Sequence, residues 1–370
     1  MKILLGHVYS EYSSNTNERI AAWMDRLRLG GIDIDSTCLS PTISQPVIYW
    51  PELDRKWQTS DVRLMKMYEM LARKMEQYDV FVNFNGINLH PEFVQELPGF
   101  RVYSCSDDPE SSEILSKPVA WAYDLAMVGN IAQVEIYKDW GVKNARYWPL
   151  GYRFEDCDPS LTKDQILQGE RDVDLVLLCE RVTPWRRERL DKYSSAFPKG
   201  AFYGLGWPNG SLPEEERVNL FQRSKIGINF HNSTGPINFR TYYLPANGVL
   251  HICDNKRYLG HIFELGKEVV GFDTVEEAIE LTHYYLSHDD ERRQIAAAGW
   301  ERAIRDYNEI AVFNSLIAAV YDTQKQLNSR SSQNAIILIH TKSWKRNIGQ
   351  VIKYFFSVWN TLVLKFFKKE

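Results

Sequence analysis

The stretch from Ser224 to Asn255, SKIGINFHNSTGPINFRTYYLPANGVLHICDN, gathers the most chemically useful side chains in the sequence. It reads as apolar strand, polar loop, helix, glycine, apolar strand. The loop carries His231, Asn232, Ser233, Thr234, Gly235 and Asn238, with Arg240 at its far end. In an open α/β sheet, a loop at the carboxyl end of a strand faces the ligand crevice. The next helix would offer its first amides to an anion, and Arg240 adds a permanent charge with forked donors. The pattern fits an anion-binding loop; it also fits a solvated connection with one surface arginine. A second set, Glu180-Arg181-Val182-Thr183-Pro184-Trp185-Arg186-Arg187, follows the apolar run VDLVLLC. Basic residues at a strand end suit an anionic ligand. An ordinary helix start with surface arginines looks the same. A third set is Ser106-Asp107-Asp108, after the apolar run Phe100 to Cys105. Two carboxylates there can orient a hydroxyl or take its proton. An S-D-D-P sequence equally suits an N-cap and turn. His7, Asn83 and Asn85 lie at the ends of two further apolar runs and are expected near the same crevice, His7 with a core role as the alternative.

Other chemistries leave no trace. There is no GxGxxG, no GxxxxGK[ST] and no GxSxG. The compact turn Gly204-Leu205-Gly206 lacks a third glycine and a following helix start. The five cysteines form no CxxC pair, so no zinc site, metal centre or disulfide framework is expected. A net charge of −4 argues against a nucleic-acid partner. The first residues are too briefly apolar for a signal peptide, and a cytoplasmic setting is the expectation.

Positioning these residues takes two α/β units. Apolar runs at 2–8, 32–37, 79–84, 100–105, 123–128 and 145–150 alternate with helical stretches at 18–29, 60–78 and 131–140. Near-continuous apolar strands alternating with helices mean parallel sheets covered on both faces. After a polar segment the pattern restarts with runs at 173–179, 200–203, 225–230 and 249–253. The expected division is a first domain at 1–154, a linker at 155–171, a second domain at 172–327, a linker at 328–341 and a basic tail at 342–370. Thr274 and Ser287 are expected to cap two late helices, and Gly299 to interrupt the second.

The tail is distinct in charge. From Lys342 to Glu370 it nets +6 while the chain nets −4, so the preceding 341 residues carry −10. Trp344, Ile348, Val351, Ile352, Phe355, Trp359, Leu362 and Phe366 fall on one helical face. An uncharged run of eleven residues, Tyr354 to Leu364, is too short to span a bilayer. The pattern suits an amphipathic helix on an anionic membrane surface, or a last helix folded back on the body.

The run Asn238-Phe239-Arg240-Thr241-Tyr242-Tyr243-Leu244-Pro245-Ala246-Asn247-Gly248 resembles the donor-site segment of GT-B glycosyltransferases of the CgeB-like, spore-maturation group, whose pattern is roughly R-x-F-E-x-x-A-x-G. Phe263 to Val270, His283 to Leu286 and Ile295-Ala296-x-x-Gly299 are similar too, as are Asp107-Asp108, Tyr123-Asp124 and Trp148-Pro149-Leu150-Gly151. The resemblance implies a GT-B fold of two Rossmann-like, doubly wound domains facing a cleft, with a nucleoside diphosphate sugar held by the second. It implies transfer of the sugar to the hydroxyl of a glycan or lipid-linked acceptor, without a cofactor. On this sequence, Arg240 and Arg187 would meet the diphosphate together with His231, Asn232 and Asn238. Gly204 and Trp207 would lie beside the same crevice, and Asp107 or Asp108 would face the acceptor. Tyr243 stands where the group has the glutamate that holds the ribose, and a phenol cannot grip two hydroxyls as a carboxylate does.

Overall fold

The computed structural model describes residues 1–8, 16–84, 88–180, 182–324, 334–344 and 346. Six short strands, β1 (Ile3–His7), β2 (Ile34–Cys38), β3 (Val80–Asn83), β4 (Phe100–Cys105), β5 (Leu125–Val128) and β6 (Ala145–Tyr147), form one sheet, with β1, β3, β4 and β5 buried along their whole length. Their order is β2-β1-β3-β4-β5-β6, and every pairing is parallel. Five more, β7 (Val173–Leu178), β8 (Ala201–Tyr203), β9 (Ser224–Asn229), β10 (Leu250–Cys253) and β11 (Val270–Gly271), form a second parallel sheet in the order β11-β10-β9-β7-β8. Both sheets share one winding: the first strand sits between the second and the third. The order reverses between β1 and β3 in one and between β7 and β9 in the other. The crevice of such a sheet opens outside the strand ends at that reversal.

Alternate strand residues feed two cores. Leu4, Phe81, Tyr103 and Ala126 pack toward α2 (Glu52–Gln58), α3 (Val62–Lys74) and α4 (Pro91–Glu96). Leu64, Met67, Leu71 and Met75 fall in the helical stretch expected at 60–78 and are buried there, and Asp61 caps α3 by accepting from the Arg63 and Leu64 amides. Such a cap is worth about 1 kcal/mol. Ile3, Leu5, Val80, Val82 and Leu125 point to the opposite face. That face is covered by α1 (Thr16–Leu29) and by α13 (Glu309–Gln324), through Val312, Phe313, Leu316 and Val320. The chain therefore returns to the first sheet at its end. Residues 309–324, which the sequence reading places in the second domain, pack on the first. Periodicity gave no sign of this, because an apolar stripe does not state which sheet it covers.

The second sheet is sandwiched by α7 (Pro184–Ala196), α11 (Val275–Ser287) and α12 (Asp289–Asp306) on one face. On the other lie α8 (Glu214–Arg223) and α9 (Arg240–Ala246). The segment 155–171 is not a free linker. It contains α6 (Lys163–Gln168), closed by a Thr162–Gln165 capping box, and Ile166 is buried in the second core. Arg171 is also buried, donating to the carbonyls of Phe221, Ser224 and Asn247. Likewise residues 334–341 are helical rather than a linker, with Ala335 and Ile339 buried against the first core.

Two cap readings divide. Thr274 caps α11 by accepting from the Glu277 amide. Ser287 does not cap α12; its hydroxyl donates back to the carbonyls of His283 and Tyr284. Gly299 does not interrupt α12, which runs on to Asp306. A Cβ at Gly299 would stand 2.2 Å from the Glu268 carbonyl oxygen, so this glycine lets the helix approach backbone. At Lys342 and Arg346 the chain stays on the first domain. The Lys342 ammonium lies 4.1 Å from the Trp57 ring centroid, and Arg346 donates to the Ser60 carbonyl. Trp344 is exposed, and the rest of the expected amphipathic face lies outside the described residues.

Candidate functional site

A cleft of about 700 Å³ opens between the two sheets. The second domain supplies Glu180 and Arg186 after β7, His231, Asn232, Ser233, Asn238 and Phe239 after β9, and Arg240 and Tyr243 on α9. The first domain supplies Ser106, Asp107, Glu110 and Ser111 after β4, with Tyr49. Strand ends of both sheets thus meet across one opening.

Arg240 opens α9 and is fixed before any ligand arrives. Its Nε donates to Asn229 Oδ1 at 2.9 Å and its Nη1 to the Leu178 carbonyl at 2.7 Å. Asn229 and Asn238 exchange hydrogen bonds at 3.1 Å, and Asn238 Oδ1 also accepts from the Thr241 amide. The loop is therefore stitched to the end of β9 and to the first turn of α9. Asn130 of the first domain reaches across to it, donating to the Thr234 carbonyl at 2.9 Å and to the Asp108 carbonyl at 3.2 Å.

His231 is buried at the root of the loop. Its Nδ1 lies 2.6 Å from Asp254 Oδ1, and its amide donates to Asp254 Oδ2 at 2.9 Å. Arg189 also donates to Asp254 Oδ2. Burial pushes the Asp254 carboxyl up, but His231 and Arg189 outweigh it and hold it below its ordinary value. The His231 and Asp254 donor atoms lie within 4.8 Å of the Cys253 sulfur, as metal ligands would. Burial raises the Cys253 thiol well above its usual range. The trio reads as a hydrogen-bonded brace for the loop.

Two further guanidiniums border the cleft beside Arg240 and Arg186. Arg153 pairs with Asp156 at 2.7 Å and covers the Phe239 ring, and Arg217 of α8 pairs with Glu214 at 3.6 Å. Sequence reasoning missed both. Arg153 sits two residues past the Trp148 to Gly151 run at a strand exit, which is a usable signal. Arg217 lies inside a charged helix and has none.

The expected site residues separate cleanly. Asp107, His231, Asn232, Asn238, Arg240 and Tyr243 share the cleft. Asp108 does not. It is fully buried, its carboxylate accepting from the hydroxyls of Tyr137 and Ser112, so it takes the turn role that S-D-D-P allowed. Arg187 also stands outside the lining residues, pairing with Asp191 at 3.5 Å, and its neighbour Arg186 lines the cleft instead. Arg186 donates to the Phe230 carbonyl and to Cys179 Sγ, and burial lowers its pKa. Gly204 serves the backbone. It has a φ of 128°, and a Cβ there would lie 1.9 Å from the Cys179 carbonyl oxygen. Trp207 stacks on Phe202 at 5.1 Å. His7 is buried and its pKa is lowered, by burial first; Asn83 is buried and donates to the Tyr123 hydroxyl. Asn85 lies outside the described residues.

Tyr243 reaches the cleft from a buried position. Its ring stacks on Phe221 at 4.8 Å, and burial pushes the phenol up to about 12. Near neutral pH it is therefore an uncharged hydroxyl.

Comparison with known proteins places this geometry. Residues 181–318 match a protein-family model described as "Glycosyl transferase-like". No curated protein matches the chain. Among solved structures, sucrose-phosphate synthase from Thermosynechococcus elongatus superposes with a TM-score of 0.60 at 14% identity, covering 87% of this chain and 99% of that one. HepE from Anabaena, solved in complex with UDP, superposes at 0.57 and 11% identity, covering 87% and 100%. A glycosyltransferase from Rickettsia africae gives 0.57 at 13% identity, covering 88% and 99%. The fold is GT-B: two parallel-sheet α/β domains with the cleft between them.

Proposed function

We propose that the protein transfers a sugar from a nucleoside diphosphate sugar to an acceptor hydroxyl. The observation that carries this reading is the cleft itself. Arg186, Arg217 and Arg240 of the second domain border it on one side, and Asp107 faces it from the other. Converging guanidiniums stabilise a diphosphate as it leaves, when its charge is largest. Asp107 is placed to orient the acceptor hydroxyl or take its proton. The match to the family model and the UDP complexes of HepE, one of them with UDP-glucose, support a UDP-type donor. In this reading the protein's own charges act on the leaving group without a metal. The CgeB-like affiliation rests on the Asn238 to Gly248 motif. A surface-glycan or lipid-linked acceptor, met at the cytoplasmic face of a membrane through the basic tail, belongs to the same proposal. No helix among the described residues is long and apolar enough to cross a membrane.

Tyr243 favours a second reading, a nucleotide-sugar or glycan-binding protein without turnover. Its ring is locked on Phe221, so it offers one hydroxyl where a carboxylate could hold two ribose hydroxyls. The two readings separate by turnover. Acceptor-dependent release of UDP from UDP-sugars supports the transferase. Nucleotide-sugar binding without release across an acceptor panel supports the binding protein.

A further inference from the structure

Beside the cleft lies a second, smaller pocket of about 240 Å³. Four rings from four separate elements wall it. Trp23 on α1 meets Phe84, just after β3, at 5.8 Å and 69°, and Phe313 on α13 at 5.5 Å and 76°. Trp148, just after β6, meets Phe84 at 6.4 Å and 85° and Phe313 at 5.7 Å and 81°. Each ring is edge-on to two others, an arrangement that satisfies ring quadrupoles. The polar edge of Trp148 is already partnered, its Nε1 donating to the Val312 carbonyl at 2.8 Å. At the rim, Arg26 is neutralised by Glu309, with two bonds of 2.9 Å. The ring faces therefore present carbon, and the lining arginines Arg19, Arg26 and Arg153 pair with Glu155, Glu309 and Asp156.

Two residues, Phe239 and Arg153, line both this pocket and the cleft. Phe239 follows the donor-side Asn238 and is 40% exposed. The two spaces are thus neighbours across one aromatic ring. The volume is itself informative. Sites that enclose a whole drug-sized ligand occupy roughly 300–1,000 Å³. This pocket is smaller and suits one apolar group of a larger molecule whose remainder lies in the cleft.

We propose that the pocket holds the apolar end of the acceptor, an aryl or alkyl group carried by the molecule whose hydroxyl faces Asp107. This rests on the transferase reading for the identity of the rest of the ligand, but the apolar preference is measurable without turnover. The probes are methyl, phenyl and octyl β-D-glucoside, titrated calorimetrically into the full chain saturated with UDP. The expected result is that phenyl or octyl glucoside binds about tenfold or more tightly than methyl glucoside, as burial of added apolar groups in a hydrophobic pocket gives. A tighter phenyl compound identifies an aromatic group and a tighter octyl compound an aliphatic chain; either supports the pocket. Ile20 also lines it. Ile20→Trp fills the space and is expected to erase the gain, whereas Ile20→Ala leaves it open and keeps the gain. The UDP affinity of each variant reports that it is folded. Equal binding of the three glucosides, binding of none, or a gain that survives Ile20→Trp overturns the proposal. Failure of the wild type to bind UDP, with the apolar preference intact, would instead count against the donor site.

Discussion

Asp107 and Asp108 are adjacent in sequence and opposite in use. One lines the cleft; the other is sealed beneath it by two hydroxyls. Asp107→Asn is expected to lower kcat by about 10²–10⁴ if the carboxylate takes the acceptor proton, with nucleotide affinity kept. Steady-state kinetics beside a UDP titration check this, and unchanged kcat would remove Asp107 from the chemistry. Asp108→Asn acts differently. It leaves a buried hydroxyl pair with a poorer acceptor and is expected to lower stability rather than kcat alone. At this scale the sequence was partly legible. Residue type and position after a strand picked out Arg240, His231, Asn238 and Asp107. They did not separate Asp107 from Asp108 or Arg186 from Arg187. Side-chain direction at a turn or helix start is set by packing that a local pattern does not contain.

Among the elements, the loop after β9 and helix α9 were legible because apolar strands bracket them. The path of the last helices was not. Glu309 to Gln324 has the composition of any covering helix, yet it crosses back and builds one wall of the aromatic pocket. The second such case is α12. Gly299 suggested a break from sequence, and instead marks close contact with the Glu268 backbone. Gly299→Ala is therefore expected to destabilise the second domain by about 1–3 kcal/mol, despite alanine's better helix propensity. Urea unfolding measures it. A variant as stable as the wild type would show that the helix can shift without cost.

Across the whole molecule, titration behaviour follows from buried histidines. His251 is fully buried in β10, and its pKa is lowered to about 3, chiefly by burial and then by His231 and Arg240. Its unfolded value is about 6.5. Between these limits the unfolded chain binds a proton that the folded chain refuses, so stability is full above about 6.5 and falls as pH drops toward 3. The pKa values of His7 and His90 are also lowered, burial first, and add to the same trend. Unfolding free energies at pH 7.5 and 5.0 are expected to show the loss, and His251→Leu to reduce it. A pH-independent wild type would contradict the burial assigned to these rings. The paired winding of the two sheets also belongs to this scale. It was legible as two α/β units from the alternation of apolar runs and helices. The domain contacts were not, because Asn130 and Thr234 meet only once both sheets are formed.

In the proposed reading, the cleft between the sheets is a nucleoside diphosphate site organised around Arg240. Calorimetric titration of UDP into the wild type and into Arg240→Ala tests it most directly. Hydrogen bonds to charged groups are worth about 1.5–3 kcal/mol, so the variant is expected to bind roughly ten- to a hundredfold more weakly. Saturable UDP binding by the wild type, weakened in this way, is the predicted result. UDP binding that the substitution leaves unchanged, or a wild type that binds no UDP, would remove Arg240 and the cleft from nucleotide binding.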